Sequence, residues 1–188
     1  MKSPYCFIVK PLDGKRYNNT KGVGGIDLIV STSQEDHTVS NRIGVVVSTP
    51  VGYSGEIEAG DLLLVHHNVF KLYYDMKGNE KSSASYLKDD LFMVDYDQFF
   101  MYFHDERWSA HSKYCFVKPI KTMNSVIYKD TLEEPLMGTI VYINQELLTL
   151  GLSVGDEISF EPDSEYPFYI NDEKLYRMLT NNITIKWN

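Results

Sequence analysis

The chain has 188 residues, 43% of them hydrophobic and 23% charged, the composition of a globular protein with room for one mid-sized domain or two small ones. With 18 Lys and Arg against 26 Asp and Glu, the net charge of −8 argues against general attraction to nucleic acid or to an anionic membrane. Two cysteines cannot form a disulfide framework, and no apolar run approaches the roughly 20 residues of a membrane span, so a cytoplasmic protein without a membrane partner is expected.

In chain order, Met1-Lys2-Ser3-Pro4-Tyr5 leads into the strand-like run Phe7-Ile8-Val9, not into the apolar core of a signal peptide. A long connection follows, Asp13 to Arg42, with Gly14, Gly22, Gly24 and Gly25 and an aliphatic island, Ile26-Asp27-Leu28-Ile29-Val30, set between polar stretches. Structureless connections longer than about 15 residues are uncommon in compact domains and tend to be functional. The island reads in two ways, as one more strand of the core or as an apolar tip that something else must cover. After it come Ile43-Gly44-Val45-Val46-Val47, the turn Ala59-Gly60-Asp61 with Leu62-Leu63-Leu64-Val65, then Leu91-Phe92-Met93-Val94 and the run Phe99-Phe100-Met101-Tyr102-Phe103. A polar stretch, residues 104–111, reads as a linker.

Beyond it the same blocks return in the same order. Tyr5-Cys6-Phe7-Ile8-Val9-Lys10-Pro11 is echoed, one residue shorter, by Tyr114-Cys115-Phe116-Val117-Lys118-Pro119. Ile43–Val47 is echoed by Met137-Gly138-Thr139-Ile140-Val141, Gly60-Asp61 by Gly155-Asp156, and Leu91–Val94 by Leu175-Tyr176-Arg177-Met178. The chain is therefore two copies of one small domain, 1–103 and 112–188. Each is a series of short Val, Ile, Phe and Tyr runs punctuated by Gly-Asp, Asn-Asp and Pro, an all-β pattern, and a small sheet hides its apolar face most completely by closing into a barrel. The offset from Val9 to Val117 is 108 but from Gly44 to Gly138 only 94, which places 14 extra residues of the first copy in its long connection.

Taken together, Phe7-Ile8-Val9-Lys10-Pro11, Gly24-Gly25-Ile26-Asp27-Leu28, Arg42-Ile43-Gly44-Val45-Val46-Val47, Ala59-Gly60-Asp61-Leu62-Leu63-Leu64-Val65 and Leu91-Phe92-Met93-Val94 through Phe100 resemble the GroES-type co-chaperonins. The resemblance implies two tandem GroES-like β-barrels. It also implies a homo-oligomeric ring, a heptamer in that family, that caps a GroEL-type chaperonin and assists ATP-dependent folding without catalysis or cofactor of its own. On it, 13–42 is the mobile loop, Gly24 and Gly25 are its hinge, and Ile26, Asp27, Leu28, Ile29 and Val30 meet the chaperonin. Ile26 and Leu28 would face the groove with Asp27 turned to solvent, or the contact would slide to Leu28-Ile29-Val30; both registers stay open. The terminal runs Phe7, Ile8, Val9 and Phe99, Phe100, Met101 are expected at the subunit interface. The family has an aliphatic residue where Asp27 stands, and the second copy lacks the long loop, so the chain is closer to a diverged, virus-encoded cap acting in a host cytoplasm. A reading of another class is a structural or assembly protein, such as a viral particle component, that uses the barrel as a scaffold.

Single residues carry no catalytic pattern. Cys6 and Cys115 read as matching core thiols. His66 and His67, adjacent on an expected strand, should point to opposite faces and share no metal. Gly22-Val23-Gly24-Gly25 lacks the spacing of a dinucleotide-binding turn. Asp89-Asp90, Glu133-Glu134 and Asp172-Glu173 read as turn charge.

Overall fold

The computed structural model describes residues 1–17, 20–23, 26–29, 40–121, 133–170 and 173–187. It is all-β, with strands β1 (Phe7–Pro11), β2 (Thr20–Val23), β3 (Ile26–Ile29), β4 (Ile43–Ser48), β5 (Leu62–Val65), β6 (Leu72–Tyr74), β7 (Glu80–Ser82), β8 (Tyr86–Lys88), β9 (Leu91–Val94), β10 (Phe99–His104) and β11 (Arg107–Ala110) in its first part. The rest holds β12 (Tyr114–Lys121), β13 (Glu133–Tyr142), the short helix α1 (Gln145–Thr149), β14 (Glu157–Phe160), β15 (Tyr166–Ile170), β16 (Glu173–Leu179) and β17 (Ile183–Lys186). Two compact units divide between Arg107 and Trp108. The stretch read as a linker holds the end of β10 and all of β11, because Asp105 and Glu106 both take positive φ and make a tight turn between strands.

In the first unit the main sheet runs β11-β10-β5-β4-β1-β9-β8; in the second it runs β17-β14-β13-β12-β16-β15. Leaving β11 aside, the two orders are the same strand for strand, and so are the registers of the inner strands; at the edge β8 is bulged against β9 where β15 pairs evenly with β16. Val9 opposes Val46 and Phe92, as Val117 opposes Ile140 and Tyr176. Leu63 sits between Gly44 and Tyr102, as Ile158 sits between Gly138 and Lys186.

The Gly-Asp turns repeat atom for atom. Gly60 N–H donates to Val46 O and Val46 N–H to Asp61 O, both at 2.8 Å; Gly155 N–H donates to Ile140 O at 2.8 Å and Ile140 N–H to Asp156 O at 2.9 Å. The glycines take φ of +104° and +94°, a region where a Cβ is strained. The aspartates each accept from the backbone three residues back, Glu58 N at 2.7 Å and Ser153 N at 2.8 Å.

One core cluster of the first unit joins Phe7 and Val9 of β1, Val46 of β4, Leu63 and Val65 of β5, Phe92 and Val94 of β9 and Phe99 of β10. In a flat sheet β1 and β10, three strands apart, would lie about 14 Å from one another. The rings of Phe7 and Phe99 are 5.4 Å apart, so the sheet curls around its own apolar face. In the second unit β14 and β16 are also three strands apart, and Phe160 and Tyr176 approach to 6.4 Å, so that sheet curls too.

This register corrects the pairing of the cysteines. Phe7 opposes Val94 and Cys115 opposes Met178, so Cys115 matches Phe7 and not Cys6. In a strand one residue of offset changes the face. Cys115 is fully buried, and burial pushes its thiol up to about 12, whereas Cys6 is half-buried with its Sγ 2.9 Å from Asp95 Oδ1. The histidine expectation also changes. β5 ends at Val65, so His66 and His67 lie beyond the pleat, and their rings stack at 4.1 Å instead of facing apart.

Candidate partner-binding site

The connection after β1 leaves the sheet as a ribbon. Pro11 ends the strand, residues 12–14 make one 3-10 turn, and Tyr17 and Ser40 form a β-bridge across the neck. Beyond the neck β2 and β3 pair antiparallel, Thr20 with Ile29 through Val23 with Ile26, in a two-stranded sheet of their own. The register leaves two residues between the strands. Ile26–Ile29 is thus a strand that belongs to neither main sheet. Of the residues assigned to the chaperonin contact, Gly24, Gly25 and Val30 lie outside the described residues.

Three side chains that sequence reasoning did not single out fasten the neck. Asn41 is buried; its Nδ2 donates to Leu12 O at 3.1 Å and Lys15 O at 2.7 Å, and its Oδ1 accepts from Ile43 N at 3.0 Å. Arg16 reaches Asp90 Oδ1 through Nε at 3.2 Å and Nη2 at 2.7 Å, donates from Nη1 to Ser82 Oγ at 3.1 Å, and lies over the rings of Tyr86 and Phe92. Tyr17 accepts Leu72 N–H at its hydroxyl at 2.7 Å, and burial pushes that phenol up despite the bond. The signal for this clamp was local: an Arg-Tyr pair before a polar run and a lone Asn closing it, all near enough in sequence to be read as loop.

The six residues expected at a subunit interface are elsewhere. Phe7, Ile8, Val9, Phe99, Phe100 and Met101 are all buried within the first unit. β1 lies between β4 and β9, and β10 between β11 and β5, so neither strand offers an unpaired edge. A terminal position in sequence is not an edge position in the sheet.

In the second unit the same neck position is polar. Lys174 Nζ donates to Glu133 Oε1 at 2.8 Å and to the Tyr176 hydroxyl at 3.0 Å, and that hydroxyl donates to Glu133 Oε2. Burial pushes Glu133 up, but the bonds from Lys174 and Tyr176 outweigh it and hold the carboxyl below its usual range; the Lys174 ammonium is pushed up by the same contacts. A lysine so held is a fastening, not a nucleophile. Among the described residues no group of three His, Cys, Asp or Glu side chains is placed to hold a metal ion. Compared with known proteins, the chain matches no family model, and no curated protein matches it.

Proposed function

We propose that this protein is a co-chaperonin-like cap. Each unit's curled sheet is a small barrel of the GroES type, several copies associate in a ring, and the β2–β3 ribbon of each copy carries an aliphatic strand to an apolar groove on a chaperonin. One observation carries this reading: among the described residues Ile26–Ile29, four residues of which three are aliphatic, pairs with β2 in a two-stranded sheet and is a strand of neither main sheet. Burying two such side chains in a groove gains roughly 1.5–3 kcal/mol each. Because β2 and β3 are already paired, part of the ordering cost of about 1–2 kcal/mol per residue is met before binding. One ribbon alone still binds weakly, and several on one ring bind tightly, since each contact raises the effective concentration of the next.

The test is association with a GroEL-type chaperonin in the presence of ATP, using the wild type, Leu28→Ser and a deletion of residues 20–29. ATP-dependent binding lost in both variants, with thermal unfolding unchanged, is the expected result. Binding unaffected by either change, or no binding by the wild type, ends the proposal, and the scaffold reading then takes its place.

A further inference from the structure

A second ribbon stands beside the first. β6 and β7 pair as Leu72 with Ser82, Tyr73 with Lys81 and Tyr74 with Glu80, in a two-stranded sheet that joins neither main sheet. Two-stranded ribbons are marginal in water. This one is fastened at both ends. At the tip, Asp75 Oδ1 accepts from Lys77 N and Asn79 N at 2.9 Å each, Asn79 Nδ2 reaches both carboxylate oxygens, and Gly78 takes φ of +78° in the turn. At the root, Ser83 Oγ donates to Val69 O at 2.5 Å.

The root is also tied to the first ribbon. Leu72 N–H, at the start of β6, donates to the Tyr17 hydroxyl, and Arg16 donates to Ser82 Oγ at the end of β7. Consecutive residues at the neck of one ribbon therefore hold the two strands of the other. The roots of the two ribbons are thus fastened together.

What the second ribbon presents is apolar and basic. Met76, at the apex of the turn, is 103% exposed, and Tyr73 is 47% exposed. The core gains nothing from Met76. Methionine and tyrosine suit protein interfaces, the first because it adapts its shape and the second because it brings large area with few rotors. Lys71, Lys77 and Lys81 flank them; Tyr73 and Lys81 are directly opposed and so share a face, and Lys71 joins that face by the two-residue period. The Asp75 carboxylate is turned into its own loop, which leaves Glu80 as the ribbon's outward acid. On a chain of net charge −8 this is a local basic projection.

We propose that the β6–β7 ribbon is a second contact element for the partner that receives the β2–β3 ribbon, with Met76 entering an apolar pocket rimmed by carboxylates on the chaperonin. This rests on the capping reading above. A ribbon pre-organised by its own turn loses little freedom on docking, so even a small pocket contributes to affinity. The lysines act mainly through the encounter and its salt dependence.

The experiment compares ATP-dependent binding to a GroEL-type chaperonin for the wild type, Met76→Asp, the double variant Lys77→Glu with Lys81→Glu, and Leu28→Ser, with thermal unfolding of each. Met76→Asp is expected to weaken binding about tenfold with an unchanged melting temperature. The charge reversal is expected to weaken it several-fold at low salt and much less at high salt. Loss of binding in Leu28→Ser beside wild-type binding in the other two overturns the second contact and leaves the capping reading intact. A drop of several degrees in the melting temperature of Met76→Asp also overturns it, since the tip would then serve the fold. Absence of wild-type binding overturns both.

Discussion

In the first unit Pro11 faces Gly44 and in the second Pro119 faces Gly138; around these pairs every framework strand finds the same neighbour, in the same register except at the bulged β8 edge. The differences lie in what connects the strands. The first unit carries two ribbons between framework strands, β2–β3 and β6–β7, while the second bridges β13 to β14 with α1 and has, among its described residues, no ribbon apart from its sheet. Even the necks compare position by position. Phe92 matches Tyr176, so Asp90 matches Lys174, and each forms an ion pair near the end of the first strand, with Arg16 of the connection after β1 in one unit and with Glu133 at the start of β13 in the other. The sign of the charges is reversed. A fold that keeps the ion pair but exchanges its polarity requires the fastening and not the particular residues, whereas the ribbons, which among the described residues belong to the first unit alone, are additions for which packing gives no reason.

The comparison is most easily broken at matched core positions. Phe7 is fully buried and makes edge contacts with Tyr53, Tyr96 and Phe99, while its counterpart is the much smaller Cys115. Phe7→Ala should cost about 3–5 kcal/mol. Cys115→Ala should cost about 1 kcal/mol, close to the loss of one buried methylene. Denaturant unfolding measures both. A Phe7→Ala protein that changes its oligomeric state while keeping its stability would return Phe7 to a subunit interface and undo the register argument.

The paired glycines give the next largest effect. A Cβ at Gly138 would meet the Lys118 carbonyl oxygen at 2.8 Å and the Val117 side chain closer still, and backbone cannot give way. At Gly44 it would meet the tip of the Phe70 ring at 3.1 Å and Val9 at 3.3 Å, contacts that a small shift relieves. Gly138→Ala should therefore lose about 2–3 kcal/mol and Gly44→Ala about 1 kcal/mol or less. Trp187, whose Nε1 donates to Ser159 Oγ of β14 at 2.8 Å, reports on the second unit, whereas Trp108 lies on β11 beside β10, so a Trp108→Phe background leaves a fluorescence signal from the second unit. The Gly138→Ala transition should move in fluorescence, and equal losses at the two sites would show that the two first-strand contacts are equivalent and end the distinction drawn between them.

A smaller effect belongs to the necks. Arg16→Ala removes a two-pronged ion pair with a half-exposed Asp90 and the stacking on Tyr86 and Phe92. Surface ion pairs contribute at most about 1 kcal/mol, and the ring contacts add about 0.5–1 kcal/mol. Lys174→Met should lose a similar amount, because it strands Glu133 beside a half-buried tyrosine. Exchanging the pair, Arg16→Asp with Asp90→Arg, should recover the ion pair but not the stacking, and full recovery would mean that the rings contribute nothing.

Much of this framework was readable before any coordinates. The Gly-Asp turns were visible because a glycine at positive φ followed by an aspartate that bonds backwards is a local requirement, and the block order was visible because strands of one face repeat their apolar residues. Register was not. Matching Tyr5-Cys6-Phe7 to Tyr114-Cys115-Phe116 maximised identity but shifted the strand by one, and identity has no knowledge of which face a residue takes. Sheet position was hidden too: nothing in Phe7-Ile8-Val9 says that the first strand of the chain lies between β4 and β9, a fact created by long-range pairing. The aliphatic island was conspicuous as a composition change. The β6–β7 ribbon was missed since Tyr73, Tyr74, Glu80 and Lys81 lack the alternation of a half-buried strand; its one clue was Asp75-Met76-Lys77-Gly78-Asn79, a turn sequence between two short β-prone runs.

The smallest predicted effect separates the two Gly-Asp turns by pH. Asp61 Oδ2 lies 2.9 Å from His104 Nδ1, whereas Asp156 Oδ2 lies 2.7 Å from Lys186 Nζ. The hydrogen bond to Asp61 pushes the His104 imidazole above its ordinary value of 6.5, with Asp105 and Glu58 adding to the attraction. A group whose folded pKa is raised adds stability that is fully present below its unfolded value and is lost as pH rises through the folded one. The first turn should therefore loosen as pH climbs from 6 to 8. The second behaves oppositely and elsewhere. The Asp156 carboxyl is held below 3.8, chiefly by Lys186, so its contribution is present above that value and lost as pH falls. Amide exchange at Gly60 and Gly155, whose N–H groups bond Val46 O and Ile140 O, reads each turn by itself. Once corrected for intrinsic exchange, protection of Gly60 should fall between pH 6 and 8 while that of Gly155 holds, and His104→Gln should make Gly60 as insensitive as Gly155. Parallel pH profiles in the wild type would show that the His104 contact does not lock the turn.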